Sequence, residues 1–195
     1  NFIINKALFE KDNLQYSFND VEINGSEYII KKAILFKDNK LQYALKDTVI
    51  KNQFIKNGLL NVKNNKEFSN YLKKNFNVDI IGDTEFNIRL TGDISNLDLN
   101  LKLNSDLTDS DLKINYLNLI KKKNITSSIK TEIIYQKGKL AFIKDINLKI
   151  EKNNYKIGIV KLDIISPTKI LLRNIKTPEL DLKQISISKK NKIFD

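Results

Sequence analysis

The sequence predicts a mainly β protein: a long, curved, antiparallel sheet wound as a meander, with one short helix near residues 65–76. Three observations carry this prediction. Apolar and polar residues alternate with period two over many short segments, turn-forming pairs punctuate those segments, and a single stretch switches to helical spacing.

The alternation is clearest at Leu97, Leu99, Leu101 and Leu103, which interleave with Asp98, Asn100 and Lys102. Phe86, Ile88 and Leu90 alternate with Asn87 and Arg89, and Ile146, Leu148 and Ile150 with Asn147 and Lys149. Ile185 and Ile187 flank Ser186 in the same way. Successive side chains of an extended strand point to opposite faces, so each set lays its apolar members on one side of a sheet and its polar members on the other.

Between these segments stand Asn24-Gly25, Asp38-Asn39, Asn57-Gly58, Lys137-Gly138 and Asn153-Asn154. Gly and Asn tolerate the positive φ of tight hairpins, so each pair is read as a turn. Asn24-Gly25 has the clearest flanks, Val21 and Ile23 before it and Tyr28 and Ile30 after it. Pro167 and Pro178 are expected near strand boundaries or edges, where a missing N–H costs least.

From Asn65 to Phe76 the period changes. Phe68, Tyr71, Leu72 and Phe76 form an apolar helical stripe, with Asn64 expected as cap and Glu67 three residues on as its box partner. Covering a core is the commoner use of such a helix, while Lys66, Lys73 and Lys74 admit a membrane-surface role.

There is also an internal echo. Phe9–Ile23 and Phe36–Ile50 align without gaps at an offset of 27 residues, matching Leu14-Gln15-Tyr16 with Leu41-Gln42-Tyr43 and Asp20 with Asp47. Lys139-Leu140-Ala141-Phe142, followed by Lys144-Asp145, repeats the theme loosely. Units of this kind bury a continuous apolar face only by stacking on neighbours. The first residue is Asn rather than Met, and residues 1–195 are therefore read as a single section of a repetitive sheet domain within a larger protein.

Composition narrows function. The absence of cysteine removes disulfides and thiolate metal sites, and the absence of histidine removes the usual general base and the commonest metal ligand. Unbroken apolar runs, such as that holding Ala33-Ile34-Leu35, fall far below the roughly 18–20 residues of a membrane-crossing helix. The net charge of +11 suggests an acidic partner, yet the lysines are scattered along alternating segments. Lys121-Lys122-Lys123 is the one triple and is placed in a loop. Without aromatic residues gathered on one basic face, nucleic acid is not an expected partner.

Asp106, Asp109 and Asp111 cluster in Ser105–Leu112 and raise the question of calcium. The EF-hand pattern fails for want of the turn Gly and closing Glu, and an Asp/Ser/Thr-rich turn is the better reading. Asp79, Asp83 and Glu85 around Gly82 offer no acid–base pair in distinct environments. No phosphate loop, nucleophile elbow or zinc spacing is found. No enzyme, metal site or cofactor is expected.

The order Leu90-Thr91-Gly92-Asp93-Ile94, the leucine strand, Ser105-Asp106-Leu107-Thr108-Asp109-Ser110-Asp111-Leu112, Lys121-Lys122-Lys123 and Lys137-Gly138-Lys139-Leu140 resembles the AsmA-like superfamily, most closely its YhdP-type, TamB-related members. The resemblance is most specific over residues 90–162. It implies a bridge-like intermembrane lipid transport protein of Gram-negative bacteria, anchored in the inner membrane by a segment outside this chain and projecting into the periplasm. A curled sheet would form an apolar groove for phospholipid acyl chains, with no catalytic residues. The groove-lining residues expected here are Phe86, Ile88, Leu90, Leu97, Leu99, Leu101, Leu103, Ile146, Leu148 and Ile150. The alternative is a structural or outer-membrane assembly scaffold with a packed, dry core.

Overall fold

The computed structural model describes residues 2–11, 14–37, 40–115, 118–162, 169–178 and 181–188. Fifteen strands and one helix follow in order: β1 (Phe2–Lys11), β2 (Leu14–Asn24), β3 (Glu27–Lys37), β4 (Lys40–Lys51), β5 (Phe54–Lys63), α1 (Lys66–Phe76), β6 (Val78–Gly82), β7 (Glu85–Asp93), β8 (Asp98–Asp106), β9 (Ser110–Ile114), β10 (Leu119–Lys121), β11 (Ser127–Gln136), β12 (Lys139–Ile150), β13 (Asn153–Leu162), β14 (Lys169–Lys176) and β15 (Asp181–Ser188). Twelve of the strands form one antiparallel sheet in the order β1-β2-β3-β4-β5-β7-β8-β11-β12-β13-β14-β15, open at β1 and β15. The mainly β meander with one helix is the fold that the alternation and turns predict.

The meander is interrupted twice on the same side. The chain leaves after β5 to make α1 and β6, and again after β8 to make β9 and β10. These excursions join as a second, three-stranded sheet, β10-β9-β6, with α1 against β6. This small unit caps one face of the middle of the large sheet, which we call the inner face.

Directly opposed residues of an antiparallel pair share a face. One line of such partners runs Ala7, Phe18, Ala33, Leu45, Leu60, Ile88, Leu103 and Thr131 across β1 to β11. A parallel line continues Ile129, Leu148 and Tyr155, and beside it run Ile146, Ile157 and Ile175. The other face is more polar, with Ile34, Ala44 and Ile134 among its apolar members; there the Asn61 amide donates to Asn87 Oδ1 and the Asn100 amide donates to Glu132 Oε1 at 2.5 Å.

The internal echo has a backbone meaning. Asp20 and Asp47 both take left-handed φ, 51° and 41°, and both interrupt the pairing opposite Lys31 of β3. Ile23 and Ile50, also matched in the repeat, both oppose Tyr28. Asp145, in the looser copy, has φ 50°, and Asn174 in β14 has φ 54°. Short Asp and Asn side chains tolerate this region better than most residues, and the irregularities they mark bend the strands and increase twist. In the large sheet they fall in β2 and β4 near one edge and in β12 and β14 near the other.

Several local expectations need correction. Asn57-Gly58 is not a turn; it lies inside β5, where Asn57 donates its amide to Asp47 O at 3.2 Å and Gly58 lies against Thr48. The turn before it is Asn52-Gln53, both left-handed at φ 50° and 63°. Asn153-Asn154 opens β13, and the turn is Glu151-Lys152, with Glu151 at φ 51°. Lys137-Gly138 stands as expected, and the Asn24-Gly25 hairpin forms with its turn one residue on, at Gly25-Ser26, because Asn24 still pairs with Glu27 as the last residue of β2. Pro178 follows β14 at a bend, whereas Asp38-Asn39 and Pro167 lie outside the described residues.

The helix is capped by Asn65 rather than Asn64. Asn65 Oδ1 accepts from Phe68 N at 2.8 Å, which makes Phe68, not Glu67, the third helical residue and removes the expected box. Asn64 instead ties the helix to β6, donating to Ile80 O at 3.1 Å and accepting from Ser69 Oγ at 2.8 Å. Phe68 and Leu72 pack on the core, Phe68 against Phe86 with ring centroids 5.0 Å apart. The side chains of Glu67, Tyr71 and Phe76 lie outside those described. Lys73 pairs with Asp79 of β6 at 3.1 Å, and both Lys73 and Lys74 sit in the last turn, where positive charge suits the helix dipole.

Candidate functional site

The site is the inner face together with the cap upon it. The centre of the core gathers Val62, Phe86, Ile88 and Leu148 from the large sheet with Ile80, Leu107, Leu112 and Ile114 from the cap segments. Tyr43, Leu60, Leu101, Leu103, Ile129, Ile150 and Tyr155 pack around them. The contact is confined to one end of the middle strands, because Val62, Phe86, Ile129 and Ile150 all lie near the ends from which the chain leaves for the cap.

A buried polar seam joins cap to sheet. The Thr84 and Ser110 hydroxyls bond to each other, and Ser105 Oγ donates to Glu85 O at 2.8 Å. Leu107 N donates to Ser127 O at 2.9 Å, and Asn124 N to Thr108 O at 2.8 Å. The lysine triple is not simply a loop: Lys121 is the last residue of β10 and only 1% exposed. Its ammonium donates to Leu107 O, to Thr108 O at 3.1 Å and to Ser110 O at 2.5 Å. Burial pushes the Lys121 ammonium below the ordinary lysine value, while Asp111, Asp106 and Asp109 oppose that shift electrostatically.

The same geometry explains the Asp106–Asp111 cluster. Asp106 Oδ1 accepts from Thr108 N at 2.8 Å and from Thr108 Oγ1 at 2.6 Å, forming an Asx-type turn. These bonds, the hydroxyl first, hold the Asp106 carboxyl below the usual carboxylate value. Asp111 Oδ1 accepts from Lys123 N at 2.9 Å. The carbonyls that a cation would use are already occupied by Lys121.

The ten residues expected to line a common apolar face divide into four groups. Phe86, Ile88, Leu101, Leu103, Leu148 and Ile150 meet under or beside the cap. Leu90 and Leu99 lie on the same face, half-buried and farther from the cap end, with Leu90 opposite Leu101 and Leu99 opposite Gly92. Ile146 belongs with the cavity described below. Leu97 departs: it precedes β8, takes φ 54° and is 49% exposed in the turn that follows Asp93. Asp93 organises that turn by accepting from Ser95 N and Asn96 N at 2.8 and 3.3 Å, and Leu97 then lies over Gly138 of the adjacent hairpin.

Between the cap and strands β11–β14 lies a cavity of about 170 Å³. Cap residues Phe68, Leu72, Val78, Ile80, Leu107, Leu112 and Ile114 face Phe86, Leu103, Ile129, Ile133, Ile143, Ile146, Leu148 and Ile157 across it. Thr131 also lines it, but its hydroxyl donates to Lys144 O at 2.9 Å. Tyr155, Lys156, Lys176 and Thr177 are its other neighbours with polar groups, at the β13–β14 margin.

Sequence reasoning missed Ile129 and Ile133 because β11 also carries Ile134 on the opposite parity, which blurs its alternation. It missed Ala141 and Ile143 for another reason. The left-handed Asp145 shifts the phase of β12, so Ala141 and Ile143 are buried although they are out of step with Ile146, Leu148 and Ile150. The signal that could have found them is the Asp of the repeat itself.

Among the described residues, no group of three or more Asp or Glu is arranged to hold a metal ion, and no helix is long and apolar enough to cross a membrane. No protein-family model, curated protein or solved structure matches the chain.

Proposed function

We propose that this chain is a non-catalytic lipid-binding section of a larger protein, in which phospholipid acyl chains lie along the inner face of the curved sheet. One observation carries the reading: adjoining register lines of mostly apolar residues cross the sheet, one from β1 to β11 and the next from β11 to β13, while the cap covers only one end of its middle strands. The uncapped part includes the large, exposed side chain of Phe9 in β1, which shares its face with Ala7 and meets Phe18 edge-on. Hydrocarbon needs apolar surface without directional groups and gains about 0.8 kcal/mol per buried methylene. Headgroups stay in water at the rim, where the net charge of +11 attracts anionic lipids.

The resemblance of residues 90–162 to AsmA-like proteins supports the same reading, and with it a location in the periplasm beside an inner-membrane anchor outside this chain. Native mass spectrometry of the purified chain tests the proposal. Co-purified phospholipid, removed by delipidation and restored by incubation with vesicles, is the expected result. A chain that never carries lipid under conditions preserving its fold would instead favour a scaffold role. That second reading rests on the dry packing of Val62, Phe86, Leu107 and Leu148 beneath the cap.

A further inference from the structure

The cavity between the cap and β11–β14 is the part of the inner face that the cap overhangs, and we infer that it is a site for the terminal segment of one hydrocarbon chain. The inference rests on the lipid-binding reading above and sharpens it by fixing what is held, where, and how many.

Its size sets the first limit. A volume of about 170 Å³ is close to the roughly 150 Å³ of an apolar cavity that admits benzene, and well below the about 300–1,000 Å³ of pockets that enclose whole drug-sized ligands. It has room for one chain end and none for a headgroup or a second chain.

Its chemistry sets the second. Phe68, Leu72 and Ile114 from the cap face Ile133, Ile146 and Ile157 from the sheet, and of the lining residues that carry hydroxyls, Thr131, Tyr155 and Thr177, the first is already bonded to Lys144 O. Apart from these and the two lysines at the margin, the lining is apolar, and a polar group placed against it would be desolvated without compensation. An alkyl chain meets that lining at no such cost.

Its position sets the direction. The cap closes the space on the β5–β8 side, where the core is packed, and the cavity's charged neighbours, Lys156 and Lys176, stand at the β13–β14 margin. Both are exposed and opposed in register, on the other parity from Ile157 and Ile175, and Lys176 pairs with Asp181 at 3.2 Å, so they mark a solvated rim rather than a headgroup site. A chain enters from that margin, with its head in water and its methyl end against Phe68 and Leu72. In this arrangement the cap is an end wall.

The test is titration of the chain with cis-parinaric acid, a fluorescent fatty acid, using Ile146→Trp to fill the cavity and Leu99→Trp as a same-face control outside it. Ile133→Phe fills the cavity from another strand and serves if thermal melting shows that Ile146→Trp has lost its fold. One probe per chain is expected, with at least tenfold weaker binding in the filled variant and less than twofold change in Leu99→Trp. Undiminished binding in folded cavity-filled variants, with loss in Leu99→Asp, would overturn the cavity site while leaving the open face as lipid-binding. Binding by none of the proteins would overturn both readings. Parinaric acid bound in the cavity, but no phospholipid on the chain in native mass spectrometry, would keep this site and remove the phospholipid groove.

Discussion

Lys121 donates its ammonium to the carbonyl of Ser110 at 2.5 Å, and this bond fastens the outer strand of the cap to the turn that leads into it. The turn carbonyls of Leu107 and Thr108 share the same donor. Lys121→Met retains much of the side chain's length but leaves these acceptors without their donor. A loss of about 1–3 kcal/mol in unfolding free energy is expected from urea denaturation. Lys122→Met and Lys123→Met, at exposed positions, should change stability by less than about 0.5 kcal/mol.

Acid should weaken the fold through the turn carboxylates. Hydrogen bonds from Thr108 hold Asp106 below its ordinary value, and those from Ser95 and Asn96 do the same for Asp93. The folded chain then binds fewer protons than the unfolded chain. The resulting stability is present above the unfolded-chain value near about pH 4, and is lost as pH falls through the lower folded value. Melting temperatures measured from about pH 6 down to pH 2.5 should fall less steeply in the Asp93→Asn/Asp106→Asn double variant than in the parent chain.

Glycines at two hairpins should respond very differently to alanine. A Cβ at Gly92, where φ is 133°, would stand 2.1 Å from Asp98 O, so Gly92→Ala must break the β7–β8 junction or shift it. Gly25, at φ 59°, has open space around it. We expect Gly92→Ala to cost more than about 3 kcal/mol and Gly25→Ala about 1 kcal/mol, read from denaturant midpoints.

The left-handed positions provide a test of the repeat. Asp47→Val places a β-branched residue at φ 41° and should cost about 1–2 kcal/mol, whereas Asp47→Gly should be close to neutral. Asp20, matched to Asp47 by the echo and at φ 51°, should give the same ordering in thermal melts.

The meander and its apolar side were legible because Phe86, Ile88 and Leu90, and Leu99, Leu101 and Leu103, keep an unbroken period of two along regular strands. The helix was legible from Phe68 and Leu72, but its start was displaced by one residue because adjacent asparagines can both serve as caps. What pattern alone could not reveal is tertiary. Lys121 looks like any surface lysine until β10 pairs with β9 and brings it over the carbonyls of residues 107–110. The cap is equally hidden, since its β6 and β9 are separated by β7 and β8 of the large sheet. The phase change at Asp145 concealed half of the inner face of β12.

The account stands or falls on whether the uncapped inner face meets lipid in the cell. A photo-crosslinking residue at Leu99 or Leu90, half-buried beyond the packed core, should capture phospholipid, and one at the outward, exposed Lys102 should not. Leu99→Asp should fold yet lose lipid, because its charge can reach water from the open face but cannot tolerate an acyl chain beside it. Leu148→Asp, at a position 2% exposed within the core, should unfold the protein. Phospholipid captured from Leu99 and Leu90 and absent from Lys102 is the predicted result; equal capture from both faces, or none from either, would contradict it.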